Sequence, residues 1–216
     1  MKKNKKYIII TLVLFVMALV YTLLIKYVDV DSIGPNGSEV GFAIINGFFH
    51  NMIGEKEIFY KISKYLGLLP FLIVLFYGLC GVKQLIKYKS LKKVDSKLYV
   101  LGGFYVLVLI TYIFFEKLII NYRPVLMDGE LEASYPSSHT MLALCICLSS
   151  LLIAKYFIKK KDILKYFNIG TIILMLLLVL TRFLSGVHWF TDILGGIVIS
   201  LFLVSLFYTV LNIIKK

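Results

Sequence analysis

Long runs of apolar residues, separated by short polar segments, dominate this sequence. The runs are continuous rather than alternating, which is typical of helices in lipid and not of membrane β-strands. A helix needs about 20 apolar residues to cross a bilayer. The pattern therefore predicts six membrane-spanning helices, at about residues 7–27, 65–82 (with Pro70 inside), 98–115, 137–158, 166–181 and 193–214.

The composition also indicates an integral membrane protein. Of the 216 residues, 60% are hydrophobic, and the mean hydropathy is +0.89, whereas soluble domains are about 45–50% apolar. No internal repeat or low-complexity linker divides the chain, so we expect residues 1–216 to form one all-α domain. The first apolar run is longer than the core of a signal peptide and lacks an A-x-A-like cleavage site, so we interpret it as a retained helix.

The positive charges predict the orientation of this bundle. Most of the 24 lysines and arginines lie on one side of the predicted membrane: before the first span, in residues 83–97 and 155–165, and at the C-terminus. By the positive-inside rule, this side and both termini are cytoplasmic. The net charge of +12 is then mainly an orientation signal. Because no soluble basic face is visible, the sequence does not indicate nucleic-acid binding.

Ionisable residues gather at the opposite, outer ends of spans three to six. Such residues are costly near a membrane and usually mark a functional site. In "TRFLSGVHWFTDILGG", His188 and Asp192 would lie one turn apart on one face if the sixth helix begins near Gly186. A carboxylate beside an imidazole fixes its tautomer and supports its cationic form. Arg182 offers a planar fork of donors that suits phosphate oxygens.

The segment between spans three and four adds a second group of polar residues. In "YPSSHT", Pro136 and the serines predict the start of the fourth helix, because Pro is favoured in the first turn and Ser at the N-cap. A helix N-terminus attracts anions, and His139 would project beside it. Arg123 precedes Pro124, which disfavours helical geometry, so we expect the third helix to end there.

Together these groups suit phosphoryl transfer without a metal. One imidazole would attack phosphorus, the other would protonate the leaving oxygen, and the arginines would hold the developing charge. The three cysteines all fall within predicted spans and show no zinc spacing or disulfide framework, so we interpret them as apolar filler.

Three motifs follow one another along the chain: Arg123-Pro124, Pro136-Ser137-Ser138-His139, and Thr181-Arg182 with His188 and Asp192. They resemble the motifs of the type 2 phosphatidic acid phosphatase family, which are K-x6-R-P, P-S-G-H and S-R-x5-H-x3-D. The resemblance implies a six-helix layout with an outward-facing site that needs no metal or cofactor. It implies that His188 is a nucleophile that forms a phosphohistidine, that Asp192 orients it, and that His139 protonates the leaving group. It also implies that phosphate oxygens are bound by Arg123 and Arg182, with help from Ser137 and the Ser138 backbone.

Three positions depart from these family motifs. Ser138 replaces Gly, Thr181 replaces Ser, and Glu116 stands where the K-x6-R spacing requires Lys. Lys117 is one residue too late along the chain. Either the chain unwinds before Arg123 and lets Lys117 reach the phosphate, which is the interpretation we adopt, or Glu116 pairs with Arg123 or Arg182 and the site works with two cations.

Some polar residues fall outside the motifs. Residues 41–53 are compatible with an amphipathic helix on the outer surface, and we interpret His50 there as an interfacial side chain. The acidic residues Asp128, Glu130 and Glu132 are expected to form a solvated loop face.

The sequence thus predicts a multi-pass membrane phosphatase that hydrolyses a lipid phosphate at the outer leaflet. The substrate could be a polyprenyl carrier such as undecaprenyl pyrophosphate, a phosphatidic acid or phosphatidylglycerol phosphate. Many lysines and isoleucines with few arginines suggest a bacterium, in which the polyprenyl carrier would be favoured.

The alternatives are a lipid phosphotransferase and a catalytically impaired lipid-binding relative. A transporter would place its ionisable residues near the midplane, which this sequence does not. The oligomeric state is not determined.

The orientation can be tested by labelling single cysteines in a cysteine-free variant. We expect an impermeant thiol reagent to label residues 128–133 in intact cells and to leave residues 87–97 unlabelled, because the lysine-rich loop is predicted to be cytoplasmic. The opposite labelling pattern would place the site on the cytoplasmic side.

Overall fold

The protein is built from eight α-helices over the part of the chain that the structure describes. The computed structural model describes residues 2–214. The helices are α1 (Lys2–Tyr27), α2 (Ala43–Ile53), α3 (Glu57–Leu66), α4 (Leu69–Tyr88), α5 (Ser96–Lys117), α6 (Ser138–Phe157), α7 (Lys161–Leu184) and α8 (Phe190–Ile214), with short 3-10 turns at Pro35–Gly37 and Leu91–Lys93.

The predicted all-α fold with six spans is confirmed. Within residues 2–214, six helical stretches are long and apolar enough to cross a membrane: α1, the α3–α4 stretch Glu57–Tyr88, α5, α6, α7 and α8. Large apolar side chains remain exposed along α1, α4, α5 and α7. This exposure suits contact with lipid tails, in which helices satisfy their own backbone hydrogen bonds.

Pro70 lies inside the second span, as predicted, in the first turn of α4, where its missing N–H removes no hydrogen bond. Three helix ends differ from the sequence predictions. The third spanning helix, α5, ends at Lys117 rather than at Arg123. Pro136 lies outside α6, which begins at Ser138. Finally, α8 begins at Phe190 because Gly186, with a φ of 70°, sits in a left-handed turn.

Helix α6 forms the centre of the bundle and packs against α4, α5, α7 and α8. Cys145 and Cys147 are free thiols buried in this core, as expected of apolar filler. Small hydroxyl residues join the helices: Ser200 Oγ donates to the carbonyl of Met141 at 3.2 Å, and Tyr77 Oη lies 3.2 Å from Ser150 Oγ. Small and hydroxyl residues let helices approach closely in lipid, where the hydrophobic effect does not hold them together.

At one end of the bundle, the long connections fold over the helix ends and bond to one another. Gly41 N–H donates to Asn121 Oδ1 at 3.2 Å. Lys56 N–H donates to the carbonyl of Ser185, in the turn between α7 and α8, at 3.1 Å. Asn46 of α2 donates to Thr191 of α8 at 2.9 Å. The predicted ionisable residues lie at this end, so the hydrogen-bonded connections form a polar cap around them.

Gly186 provides a test of this cap. A Cβ added there would lie 2.1 Å from the Gly54 carbonyl oxygen, and its backbone has a φ of 70°. Left-handed geometry at a residue with a side chain costs about 1–3 kcal/mol, and the backbone contact must also move. We expect Gly186→Ala to lower the melting temperature in detergent by about 5 °C or more.

Gly170→Ala in α7 is the matched control, because no heavy atom lies within 4 Å of the added Cβ and Ala favours a helix over Gly. Its melting temperature should equal or exceed that of the wild type. If Gly186→Ala and Gly170→Ala have the same melting temperature, the α7–α8 turn is not tightly held.

Candidate active site

The structure brings the sequence-predicted motifs together where α6 begins, α7 ends and α8 begins. The segment between α5 and α6 closes this region from one side. Most of the predicted side chains are buried there, among them Arg123, Ser137, Arg182, His188 and Asp192, while His139 and Ser138 are half-buried. Residues far apart in sequence therefore share one small, largely dry space.

His188 lies in the turn before α8 and uses both ring nitrogens. Arg182 Nη2 lies 3.0 Å from Nε2, and Ser134 Oγ lies 3.0 Å from Nδ1. Because a guanidinium can only donate hydrogen bonds, Nε2 must accept and therefore carries no proton. The ring is then neutral, with its proton on Nδ1 and its Nε2 lone pair facing the arginine.

The surroundings of His188 favour this neutral form. Burial lowers the pKa of the His188 imidazole well below its ordinary value, and the charges of Arg182 and Arg123 lower the pKa further. A buried imidazole among cations gives up its proton readily because neither burial nor like charge favours another positive group. A lone pair on Nε2 is thus available over the physiological pH range.

Asp192 does not contact His188 directly, which corrects the expected i, i+4 pair. Since α8 begins only at Phe190, His188 lies before the helix and the two side chains do not share a helical face. The Asp192 carboxylate instead accepts hydrogen bonds from Ser134 Oγ at 2.5 Å, the Trp189 N–H at 3.1 Å and Asn121 Nδ2 at 3.3 Å. The bond to Trp189 reaches back to the residue before the helix, as in a capping box.

Sequence reasoning missed Ser134 and Asn121. Both lie within a few residues of a recognised motif, Ser134 before "YPSSH" and Asn121 before "RP". Their closeness in sequence to these motifs was the signal that could have marked them as site residues. Nothing in the local pattern indicated that either side chain would reach Asp192 across the bundle.

Arg182 is held by α3, a helix that carries none of the predicted motifs. On α3, Ser63 Oγ lies 3.5 Å from Arg182 Nη1, and the Tyr60 ring centroid lies 5.6 Å from the guanidinium carbon. A cation over an aromatic face is attracted by the ring quadrupole. Helix α3 therefore covers the guanidinium and keeps it directed at His188.

Arg123 lies opposite, in an ion pair with Glu132. The Glu132 Oε2 atom is 3.2 Å from Arg123 Nε, without hydrogen-bond geometry, and the Arg123 N–H donates to the Glu132 carbonyl at 3.0 Å. Glu132 is therefore not merely part of a solvated loop face. The ion pair that the structure forms at Arg123 is with Glu132 rather than with Glu116, the partner that the two-cation alternative requires.

The residues around the missing family lysine lie at the end of α5. Glu116 lines a small cavity together with Ser134 and His188. Lys117 is exposed at the last position of α5, so the chain leaves the helix well before Arg123. This is the unwinding that a contribution from Lys117 requires, although its side chain would still have to turn toward the cavity.

The start of α6 differs from the expected serine cap. Ser137 occupies the N-cap, but its hydroxyl lies 3.1 Å from Thr140 Oγ1 instead of bonding a free N–H of the first turn. The Ser137 N–H donates to the Asp192 carbonyl at 2.9 Å, which docks α6 onto α8. The backbone N–H groups of this first turn therefore stay available beside His139.

Several buried side-chain nitrogens at this site make no hydrogen bond. Among the described residues, the buried side-chain atoms without a hydrogen bond include Arg123 Nε and Nη1, Arg182 Nε and His139 Nδ1. Buried polar groups without partners are rare, because leaving one unpaired costs about 1–3 kcal/mol. Two guanidinium groups and a helix N-terminus next to such atoms match the oxygens of an anion. The described residues contain no cluster of three or more His, Cys, Asp or Glu that could hold a metal ion.

Comparisons with known proteins agree with this arrangement. No curated protein matches the chain significantly. The fold is similar to the crystal structure of a transmembrane PAP2-type phosphatidylglycerolphosphate phosphatase from Bacillus subtilis, with a TM-score of 0.61 and 19% identity over 96% of this chain and 98% of the other. The model of the PAP2 superfamily matches residues 100–215, which include every motif described above. This chain therefore belongs to the PAP2 superfamily.

Proposed function

We propose that this protein is a membrane lipid phosphatase that acts through a phosphohistidine on His188. The buried nitrogens of Arg123, Arg182 and His139 that make no hydrogen bond, placed around a neutral imidazole, carry this proposal. They provide positive charge and hydrogen bonds for phosphate oxygens beside a nitrogen lone pair, which is what phosphoryl transfer to histidine requires.

The reaction would proceed in two steps. His188 Nε2 forms a bond to phosphorus while the bond from phosphorus to the lipid oxygen breaks, and that oxygen takes a proton from His139. Water then attacks phosphorus, His139 accepts a proton from it, and the nitrogen–phosphorus bond breaks to release phosphate. Arg182 leaves Nε2 to bind the oxygens with Arg123 and the first turn of α6, including Ser137 and Ser138.

An opening toward the membrane supports a lipid substrate. A groove between α1 and α5 is lined almost entirely by apolar side chains, including Phe15, Leu19 and Phe115. Phe115 also lines the small cavity that contains Glu116, Ser134 and His188. A lipid tail in the groove would therefore place its phosphate beside the proposed nucleophile.

Within this class we propose undecaprenyl pyrophosphate, at the outer leaflet, as the first substrate to test. The basis is the positive-inside orientation and the lysine- and isoleucine-rich composition. The solved relative by fold is a phosphatidylglycerolphosphate phosphatase, so phosphatidylglycerol phosphate belongs in the same panel. We further propose that Lys117 turns toward the bound phosphate as a third cation, in place of the family lysine.

The central test is the His188→Ala variant in detergent-solubilised protein. Removing the nucleophile should lower release of inorganic phosphate from the active lipid by at least about 10⁴-fold. The panel contains undecaprenyl pyrophosphate, phosphatidylglycerol phosphate and phosphatidic acid. Activity of the wild type should persist in EDTA.

His50→Ala is the control, because His50 is a half-buried histidine near Trp189 that belongs to none of the motifs. It should stay within about threefold of the wild type. Near-normal turnover by folded His188→Ala protein would refute the phosphohistidine mechanism. Appearance of the phosphate on a lipid acceptor instead of water would identify a phosphotransferase.

The ion pair at Arg123 leads to a separate prediction. Because Glu132 competes with phosphate for Arg123, Glu132→Gln should strengthen inhibition by inorganic phosphate. The Glu132 side chain is 48% exposed, so the gain should be modest, about two- to fivefold, as for a partly screened ion pair.

Glu130→Gln removes a nearby loop charge that forms no ion pair with Arg123, and it should leave the inhibition constant almost unchanged. Weaker phosphate inhibition in Glu132→Gln would indicate that the carboxylate positions Arg123 rather than competing for it.

A further inference from the structure

We propose that Ser134 is a positioning residue that couples Asp192 to His188, an inference that rests on the proposed function. The Ser134 side chain lies between the two groups, with Oγ 3.0 Å from His188 Nδ1 and 2.5 Å from Asp192 Oδ2. The residue is 2% exposed. Asp192 has no direct bond to the imidazole, so its influence on the nucleophile passes through this hydroxyl.

The direction of every hydrogen bond in this chain follows from the chemistry of its ends. Arg182 can only donate, so His188 Nε2 accepts and the ring proton must be on Nδ1. That proton points at Ser134 Oγ, which therefore accepts it. The single hydroxyl hydrogen is then free to be donated to the Asp192 carboxylate, which only accepts when ionised. The opposite tautomer would place two donors face to face at Arg182.

The same chain stabilises the phosphorylated state without moving a proton. When Nε2 bonds to phosphorus and the lipid oxygen departs, the ring becomes cationic and keeps its Nδ1 proton. Ser134 Oγ continues to accept that proton, and Asp192 remains ionised. The negative charge thus acts on the imidazolium through one intervening hydroxyl, a weaker contact than a direct bond but one with a fixed geometry.

The structure holds Ser134 in place from several sides. Its N–H donates to the Asn121 carbonyl at 2.9 Å. The next residue, Tyr135, is buried and shares a 2.7 Å hydrogen bond with Thr22 of α1. Its ring packs against Gly195 of α8, where a Cβ would lie 2.2 Å from a ring atom. The hydroxyl therefore cannot drift away from the gap between the two groups.

The kinetic test compares Ser134→Ala, Ser134→Thr, Asp192→Asn and the double variant Ser134→Ala/Asp192→Asn in the full-length protein. We expect Ser134→Ala to lower kcat about 100-fold with little change in KM, and Ser134→Thr to recover much of the loss because it keeps the hydroxyl. In the Asp192→Asn background, Ser134→Ala should cause little further loss, because both changes break the same chain. Ser149→Ala, at another buried serine bonded within α6, is the control and should stay close to the wild type.

The pH profile separates coupling from mere packing. The Ser134 hydroxyl lies 3.0 Å from His188 Nδ1 and donates to the Asp192 carboxylate, so it links the imidazole to a negative charge that favours the protonated ring. Loss of the hydroxyl should therefore lower the pKa of His188, and the acidic limb of kcat/KM should move to lower pH in Ser134→Ala. A packing defect alone would lower activity without shifting this limb.

A measurement independent of activity is the ¹⁵N spectrum of histidine-labelled protein, with the His188 signals assigned by their absence in His188→Ala. The wild type should show a protonated Nδ1 and a bare Nε2. Ser134→Ala should keep this tautomer, which Arg182 fixes, but its Nδ1 signal should shift because the Nδ1 proton loses its hydroxyl acceptor. An unchanged Nδ1 signal, or near-wild-type activity of Ser134→Ala alongside a severe loss in Asp192→Asn, would overturn the inference. If the wild type hydrolyses no lipid phosphate, the proposed function fails, while the spectra still decide whether the Ser134 hydroxyl binds the Nδ1 proton.

Discussion

The Asp192 carboxylate is the interaction on which the rest of this site depends. It lies fully buried in the first turn of α8 and accepts hydrogen bonds from Ser134, Asn121 and the Trp189 backbone. These donors come from the segment between α5 and α6 and from the turn between α7 and α8. A buried charge is tolerated only when it is fully paired, so these two segments must converge on the start of α8.

The cations of the site depend on a different kind of support. Arg182 and Arg123 are both largely buried, yet within residues 2–214 no carboxylate forms an ion pair with Arg182, and the ion-pair partner of Arg123 is the partly exposed Glu132. Aromatic and hydroxyl groups of α3 hold Arg182 instead. Positive charge that is desolvated but not neutralised interacts strongly with an anion, since little has to be displaced before the anion binds. This imbalance is expected of a site that binds an anion rather than of a structural ion-pair network.

The spanning helices and the cap play separate parts. The helices are held by close packing of small residues and by hydroxyl bonds, as at Ser200 and Thr11. The polar cap is held by hydrogen bonds between loops, and these bonds fix the positions of the side chains at the candidate site relative to one another.

The sequence by itself determined the six spans and the identity of the residues that gather at one end. Continuous apolar runs have few other stable structures in a bilayer, and costly polar residues at span ends indicate a site. Only the tertiary structure decided how those residues are connected. The bonds from Ser134 to His188 and Asp192 join positions 54 and 58 residues apart, and Asn121 reaches Asp192 across 71. The partners of Arg123 and Arg182, and the start of α8, likewise depend on contacts between loops. Helical spacing describes only neighbours within one helix, so it predicted a direct pair between His188 and Asp192 where the fold places a serine.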